Sequence, residues 1–173
     1  MKLISLFFIC FILLLAGCSK DEPVSPNSSE SNAAASLAKQ VPFRVHFETT
    51  FEIISTTPPG VLTFEIFGAG NGTHLGKAEF YSISVVDLNY VPGQQTGSLR
   101  FTGANGDYLD GSFAGTIVEE DGNVSFEGEY TFSGGTGRFT GASGSGAYAG
   151  TANLPAEMGQ VTFSGTVSSP GSH

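Results

Sequence analysis

Apolar residues recur at every second position along most of this chain. In "VPFRVHFETTFEII", residues 41–54, Phe43, Val45, Phe47, Phe51 and Ile53 fall on one set of positions; Arg44, His46, Glu48, Thr50 and Glu52 fall on the other. A period of two marks a half-buried strand, because successive side chains leave a pleated backbone on opposite faces. "VLTFEIF" places Leu62, Phe64 and Ile66 on one face. "NVSFEGEYTF" sets Val124, Phe126, Gly128, Tyr130 and Phe132 against Ser125, Glu127, Glu129 and Thr131. "QVTFSGTV" does the same with Val161, Phe163, Gly165 and Val167. No stretch beyond residue 41 carries the 3.6-residue spacing of an amphipathic helix.

Turn-forming residues separate these runs: Pro58-Pro59-Gly60, Gly70-Asn71-Gly72, Pro92-Gly93, Asn105-Gly106, Asp121-Gly122-Asn123 and Leu154-Pro155. The spacing predicts eight strands near 42–54, 61–68, 74–87, 96–104, 107–118, 123–133, 144–153 and 160–168. Short connections favour an antiparallel meander. The expected fold is therefore all-β, a single eight-stranded antiparallel barrel over residues 41–169. Eight strands close around either a filled interior or one small ligand cavity. Closure also removes the sheet edges that a phenylalanine-rich chain would otherwise expose as aggregation templates.

A second regularity points the same way. An aromatic residue is followed two places later by glycine in Phe101-Thr-Gly103, Phe113-Ala-Gly115, Phe126-Glu-Gly128, Phe132-Ser-Gly134, Phe139-Thr-Gly141, Tyr148-Ala-Gly150 and Phe163-Ser-Gly165. Residues two apart share a face, so each strand offers a ring beside a vacancy that a ring from the next strand can cover. The glycine-dense "GGTGRFTGASGSG", residues 134–146, contains Gly134, Gly135, Gly137 and Gly141. It fails the dinucleotide spacing, lacks the Gly-Lys-Ser/Thr of a phosphate loop and precedes no helical pattern. Its glycines read as structural, in a tight connection between strands with Phe139 turned toward the core.

The amino-terminal segment changes the picture of where the protein resides. Lys2 precedes an apolar run from Leu3 to Leu15, shorter than a membrane-spanning helix requires. The run ends in Leu15-Ala16-Gly17-Cys18, which resembles a bacterial lipobox. That resemblance implies cleavage after residue 17 and a membrane anchor of acyl chains on Cys18, several chains being needed for stable attachment. The following "SKDE" resembles the acidic export tag of surface lipoproteins in Bacteroidetes-type bacteria. The expected location is the outer membrane, facing either the surface or the periplasm. Residues 18–40 have no aromatic residue and are rich in Ser, Asn, Pro, Ala and Glu, the composition of a flexible tether. Residues 170–173 form a short tail.

Composition narrows the chemistry. The formal net charge is −9 and the basic residues form no run, which argues against nucleic acid as a partner. The two cysteines are Cys10 and Cys18, so the expected mature domain has no thiol. No nucleophile–base pair and no Gly-x-Ser-x-Gly elbow is present. "NGDYLDG" does not match a calcium loop, since Leu109 and Gly111 fall out of place. No metal or cofactor is expected. The candidate ligand or rim residues are His74 where a turn meets a strand, Asp107 and Asp110 around the Asn105-Gly106 turn, and Arg138 among the glycines, paired with Glu127 or Glu129 or facing an anion.

"YTFSGGTGRFTGASGSG" resembles the strand-turn-strand signature of allene oxide cyclase and dirigent proteins. "GNGTHLGKAEF" and "FTGANGDYLDGSFAGT" resemble blocks that accompany it in uncharacterised secreted bacterial proteins. The resemblance covers residues 61–152 and implies an eight-stranded barrel, trimeric in many members. It transfers no active-site residue. Three readings of function stand open: an envelope lipoprotein binding a small apolar ligand or a surface partner, an isomerase or cyclase acting by confinement, and a purely structural surface module.

Overall fold

The computed structural model describes residues 39–168. The signal segment, Cys18, the tether up to residue 38, residue 169 at the end of the expected barrel and the tail of residues 170–173 lie outside the described residues. The strands are β1 (Gln40–Ser55), β2 (Val61–Gly72), β3 (Gly76–Asp87), β4 (Gly93–Gly103), β5 (Tyr108–Glu120), β6 (Asn123–Gly135), β7 (Gly144–Asn153) and β8 (Met158–Ser168). Each pairs antiparallel with the next, and β8 returns to β1, closing the barrel in meander order. The expected fold class, strand number and connectivity are all present. Boundaries move most at β2, β3 and β4: β2 runs on to Gly72 rather than ending at residue 68, through the Gly70-Asn71-Gly72 stretch expected as a turn. His74 takes φ 63°, a turn conformation, so β3 starts at Gly76. β4 extends back to Gly93, whose edge lies against Ile117 of β5.

The alternation read from the sequence is the in–out alternation of the wall. Phe43, Val45, Phe47, Tyr130, Phe132, Val161, Phe163 and Val167 are all buried inside. Ile53, expected with them, is 51% exposed. Ile53 still pairs with the buried Phe64, but it lies near the end of β1 beside the β1–β2 connection, just before the register shifts between Ile53 and Ser55. On β3 the inner set is Ala78, Phe80, Ser82, Ser84 and Val86, while the bulkier Tyr81 and Val85 face outward.

The two ends of the barrel differ. At one end lie the connections after β2, β4 and β6, the start of β1 and the close of β8. Here the β6–β7 connection folds into a short 3-10 helix, η1 (Gly137–Phe139), with Gly137 at φ 52° and Gly141 at φ 69°. This is the glycine-dense stretch. Its glycines permit the positive φ values that drop Phe139 into the barrel end, where it is fully buried beside Leu75, Leu109 and Ala142. An aromatic stack continues inward. Phe43 meets Phe132 edge-on at 5.1 Å, Phe47 stacks on Phe101 at 5.3 Å, and Phe101 meets Phe163 at 4.9 Å. This half is filled with side chains.

Glycine positions set how the rings lie. Phe126 stands opposite Gly150, and Tyr148 stands opposite Gly128, so two aromatic-x-Gly triplets answer each other across β6 and β7. The Tyr148 ring crosses Gly128 and carries its hydroxyl over Gly115 of β5; a Cβ on Gly115 would sit 2.5 Å from that oxygen. Tyr130 runs the opposite way, from β6 across Gly146 toward Gly165 of β8, where a Cβ would lie 2.8 Å from its hydroxyl. A methyl group at Gly115 would also collide with the Glu127 carbonyl.

Gly115→Ala is therefore expected to destabilise the barrel by about 2–3 kcal/mol through overpacking. Gly106→Ala, at φ 84° with open space around it, is expected to cost only about 1 kcal/mol. Phe139→Ala should cost about 3–5 kcal/mol by emptying the plug. Urea denaturation followed by far-ultraviolet circular dichroism checks all three; equal losses for the two glycine variants would refute the ring-over-glycine account.

Candidate functional site

Toward the other end, where β1 meets β2, β3 meets β4, β5 meets β6 and β7 meets β8, the interior is not filled. A partly open cavity of about 80 Å³ lies there. Phe51, Phe64, Ile117, Val124, Phe126 and Leu154 line it toward the mouth, and Phe80 and Phe163 separate it from the aromatic stack. The small inward side chains Ser82 and Ser84 of β3 line this space, whereas the room above Gly97 is taken by the Phe113 ring and that above Gly115 by the Tyr148 hydroxyl.

A polar group spans the inner wall of this cavity. Tyr148 Oη donates to Gln95 Oε1 at 3.2 Å, and Gln95 Nε2 donates to Ser84 Oγ at 3.0 Å. Ser82 Oγ donates to the Ser98 carbonyl at 2.8 Å and is thereby satisfied by the wall itself. Gln95 is placed inward by the β4 alternation, and register sets Gln95 opposite Gly115 and Val86. The glycine is again what admits the Tyr148 hydroxyl beside the amide. None of the cavity's lining residues is Asp, Glu, His, Lys or Arg. Burial pushes the Tyr148 phenol well above its ordinary value, so it remains a neutral donor at physiological pH.

The residues singled out from the sequence sit elsewhere. His74, Asp107 and Arg138 belong to the plugged end, and Asp110 to the outer wall. His74 Nε2 lies 3.1 Å from the Pro42 carbonyl and ties the β2–β3 turn to β1. Asp107 accepts from Asn105 Nδ2 at 2.7 Å and from the Arg138 backbone N–H at 3.3 Å, fastening η1 to the β4–β5 hairpin. Arg138 and Asp107 thus come together, with Nε 4.0 Å from Oδ2, and the partner of Arg138 is Asp107 rather than Glu127 or Glu129. Asp110 faces outward and takes two bonds from its cross-strand neighbour Arg100, at 2.7 and 2.9 Å. Gly134, Gly135, Gly137 and Gly141 lie in and around the η1 connection. The cavity group of Ser84, Gln95 and Tyr148 escaped the sequence reading. Its only trace was a pair of serines alternating with apolar residues in "FYSISVV", which gives no sign of which set turns inward.

Tyr130 differs from Tyr148. Its hydroxyl is buried and has no hydrogen-bond partner among the described residues. Burial raises its pKa from 10.0 to about 12. Below pH 10 the phenol is neutral whether the chain is folded or not. Between pH 10 and about 12 the unfolded chain releases the proton while the folded chain keeps it, so stability falls as pH rises. The slope for this group is up to about 1.4 kcal/mol per pH unit. Tyr130→Phe should remove that share of the alkaline loss. It should also raise stability at neutral pH by about 1 kcal/mol, since it deletes an unpaired buried hydroxyl. Denaturant midpoints at pH 7 and pH 11 check both; a Phe variant less stable at pH 7 would mean that the hydroxyl is satisfied.

Compared with models of known families and with curated protein sequences, the chain gives no significant match.

Proposed function

We propose that this chain is a cell-envelope lipoprotein, anchored through Cys18, whose barrel is of the allene oxide cyclase/dirigent type and binds a small apolar molecule at its open end. The observation that carries the reading is the partly open apolar cavity with one polar group on its inner wall. Concave, mainly apolar sites with a few converging polar groups are the usual form of small-molecule sites. The eight-stranded meander supports the barrel type, and the lipobox-like Leu15-Ala16-Gly17-Cys18 supports the anchor. β1 begins at the plugged end, and the cavity mouth lies at the opposite end of the barrel. Binding is favoured over catalysis because the cavity lining has no side chain that titrates near neutral pH, leaving no acid or base to drive a proton transfer.

Two measurements test the reading. Organic extraction of the protein purified from its native membrane, followed by mass spectrometry, should release an apolar species in near-stoichiometric amount; a clean extract counts against a resident ligand. Cys18→Ser should move the protein from the membrane to the soluble fraction, and unchanged retention would refute the anchor.

A further inference from the structure

The hydrogen-bond capacity of the cavity wall defines the ligand class more closely, and this step rests on the binding reading above. Tyr148, Gln95 and Ser84 together carry two hydroxyl protons and two amide protons. The Tyr148–Gln95 and Gln95–Ser84 bonds use two of the four. If the amide is turned round, two are again used. In either setting one hydroxyl proton and one amide N–H remain without an acceptor in this group. All three residues line the cavity. Buried donors without acceptors are costly, so the site is poised for a ligand oxygen that accepts.

Charge sets the second limit. With no Lys, Arg or His in the lining, a carboxylate or phosphate entering the cavity would lose its hydration and meet no counter-charge. Size sets the third. At about 80 Å³ the enclosed space takes only a few heavy atoms, so the remainder of the ligand must extend to the mouth between Phe51, Phe64, Ile117 and Leu154. We infer that the cavity selects a slender neutral molecule bearing a terminal or near-terminal carbonyl or hydroxyl oxygen, which enters oxygen first onto the Ser84–Gln95–Tyr148 group, and that it rejects the corresponding carboxylate.

The test uses 2-hexanone, 1-hexanol, n-hexane and hexanoate as probes, titrated into the intact barrel protein and followed by NMR shifts. The ketone and alcohol should shift Ser84, Gln95 and Tyr148 and bind at least about 10-fold tighter than hexanoate at pH 7. Lowering the pH below the carboxylate pKa should restore hexanoic acid to the neutral series. Gln95→Leu, of similar volume, should weaken the ketone about 5–10-fold while n-hexane is held. Ser84→Ala provides an independent variant should the Leu substitution disturb folding. Hexanoate binding as tightly as the ketone at pH 7, or a ketone indifferent to both substitutions, overturns this inference and leaves the apolar binding site intact. Failure of all four probes to shift cavity residues overturns the binding site itself.

Discussion

The structure depends on aromatic rings lying across glycines of neighbouring strands. A strand with a Cβ at every position keeps its neighbour's rings at a distance. At Gly115, Gly128, Gly150 and Gly165 the backbone is bare, and a phenol or phenyl ring comes down onto it. Several of these same glycines approach a carbonyl of the adjacent strand so closely that no side chain fits, which ties ring placement to the sharp coiling that closes eight strands. Ring packing and closure are therefore one constraint. Either could not be relaxed without the other.

That constraint also divides the interior. In the plugged half, Phe, Leu and Val side chains fill the inward space, and η1 adds Phe139 as a lid on the stack. In the other half, Ser82 and Ser84 face inward on β3, and a cavity remains that the rings border but do not fill. Tyr148 belongs to both arrangements. Its ring packs edge-on against Phe113 at 5.3 Å and stacks on Phe163 at 5.7 Å, while its hydroxyl joins the polar group on the cavity wall. Tyr130, one strand away and pointing the other way, performs the packing part alone and leaves its hydroxyl without a partner.

The charged residues take no part in this interior. Arg100 and Asp110 grip each other on the outer wall, worth little in solvent, and Asp107 with Arg138 fastens two connections at the plugged end. Charge in a barrel this narrow would face desolvation with no water to offset it. Among the described residues the acidic side chains lie on turns and outer faces, and the cavity is left to neutral donors.

Local architecture follows from patterns along the chain. Period-two alternation, turn residues at short intervals and repeated aromatic-x-Gly triplets each act over a few residues, so strand number, most boundaries, the meander and the burial of Phe139 were all readable from the chain. The residues chosen from the sequence for chemistry were conspicuous because they were charged or sat near glycines, and such residues go to turns and outer faces. The remainder depends on closure of the barrel. Whether Ser82 and Ser84 or Tyr81 and Val85 face inward is set by barrel closure and cross-strand register, because both sets satisfy the same alternation. The meeting of Ser84, Gln95 and Tyr148 joins β3, β4 and β7, and Tyr148 reaches its place only by crossing two glycines on β6 and β5. No short-range pattern encodes a contact between residues 53 positions apart, so the cavity and its polar wall became visible only once the barrel closed.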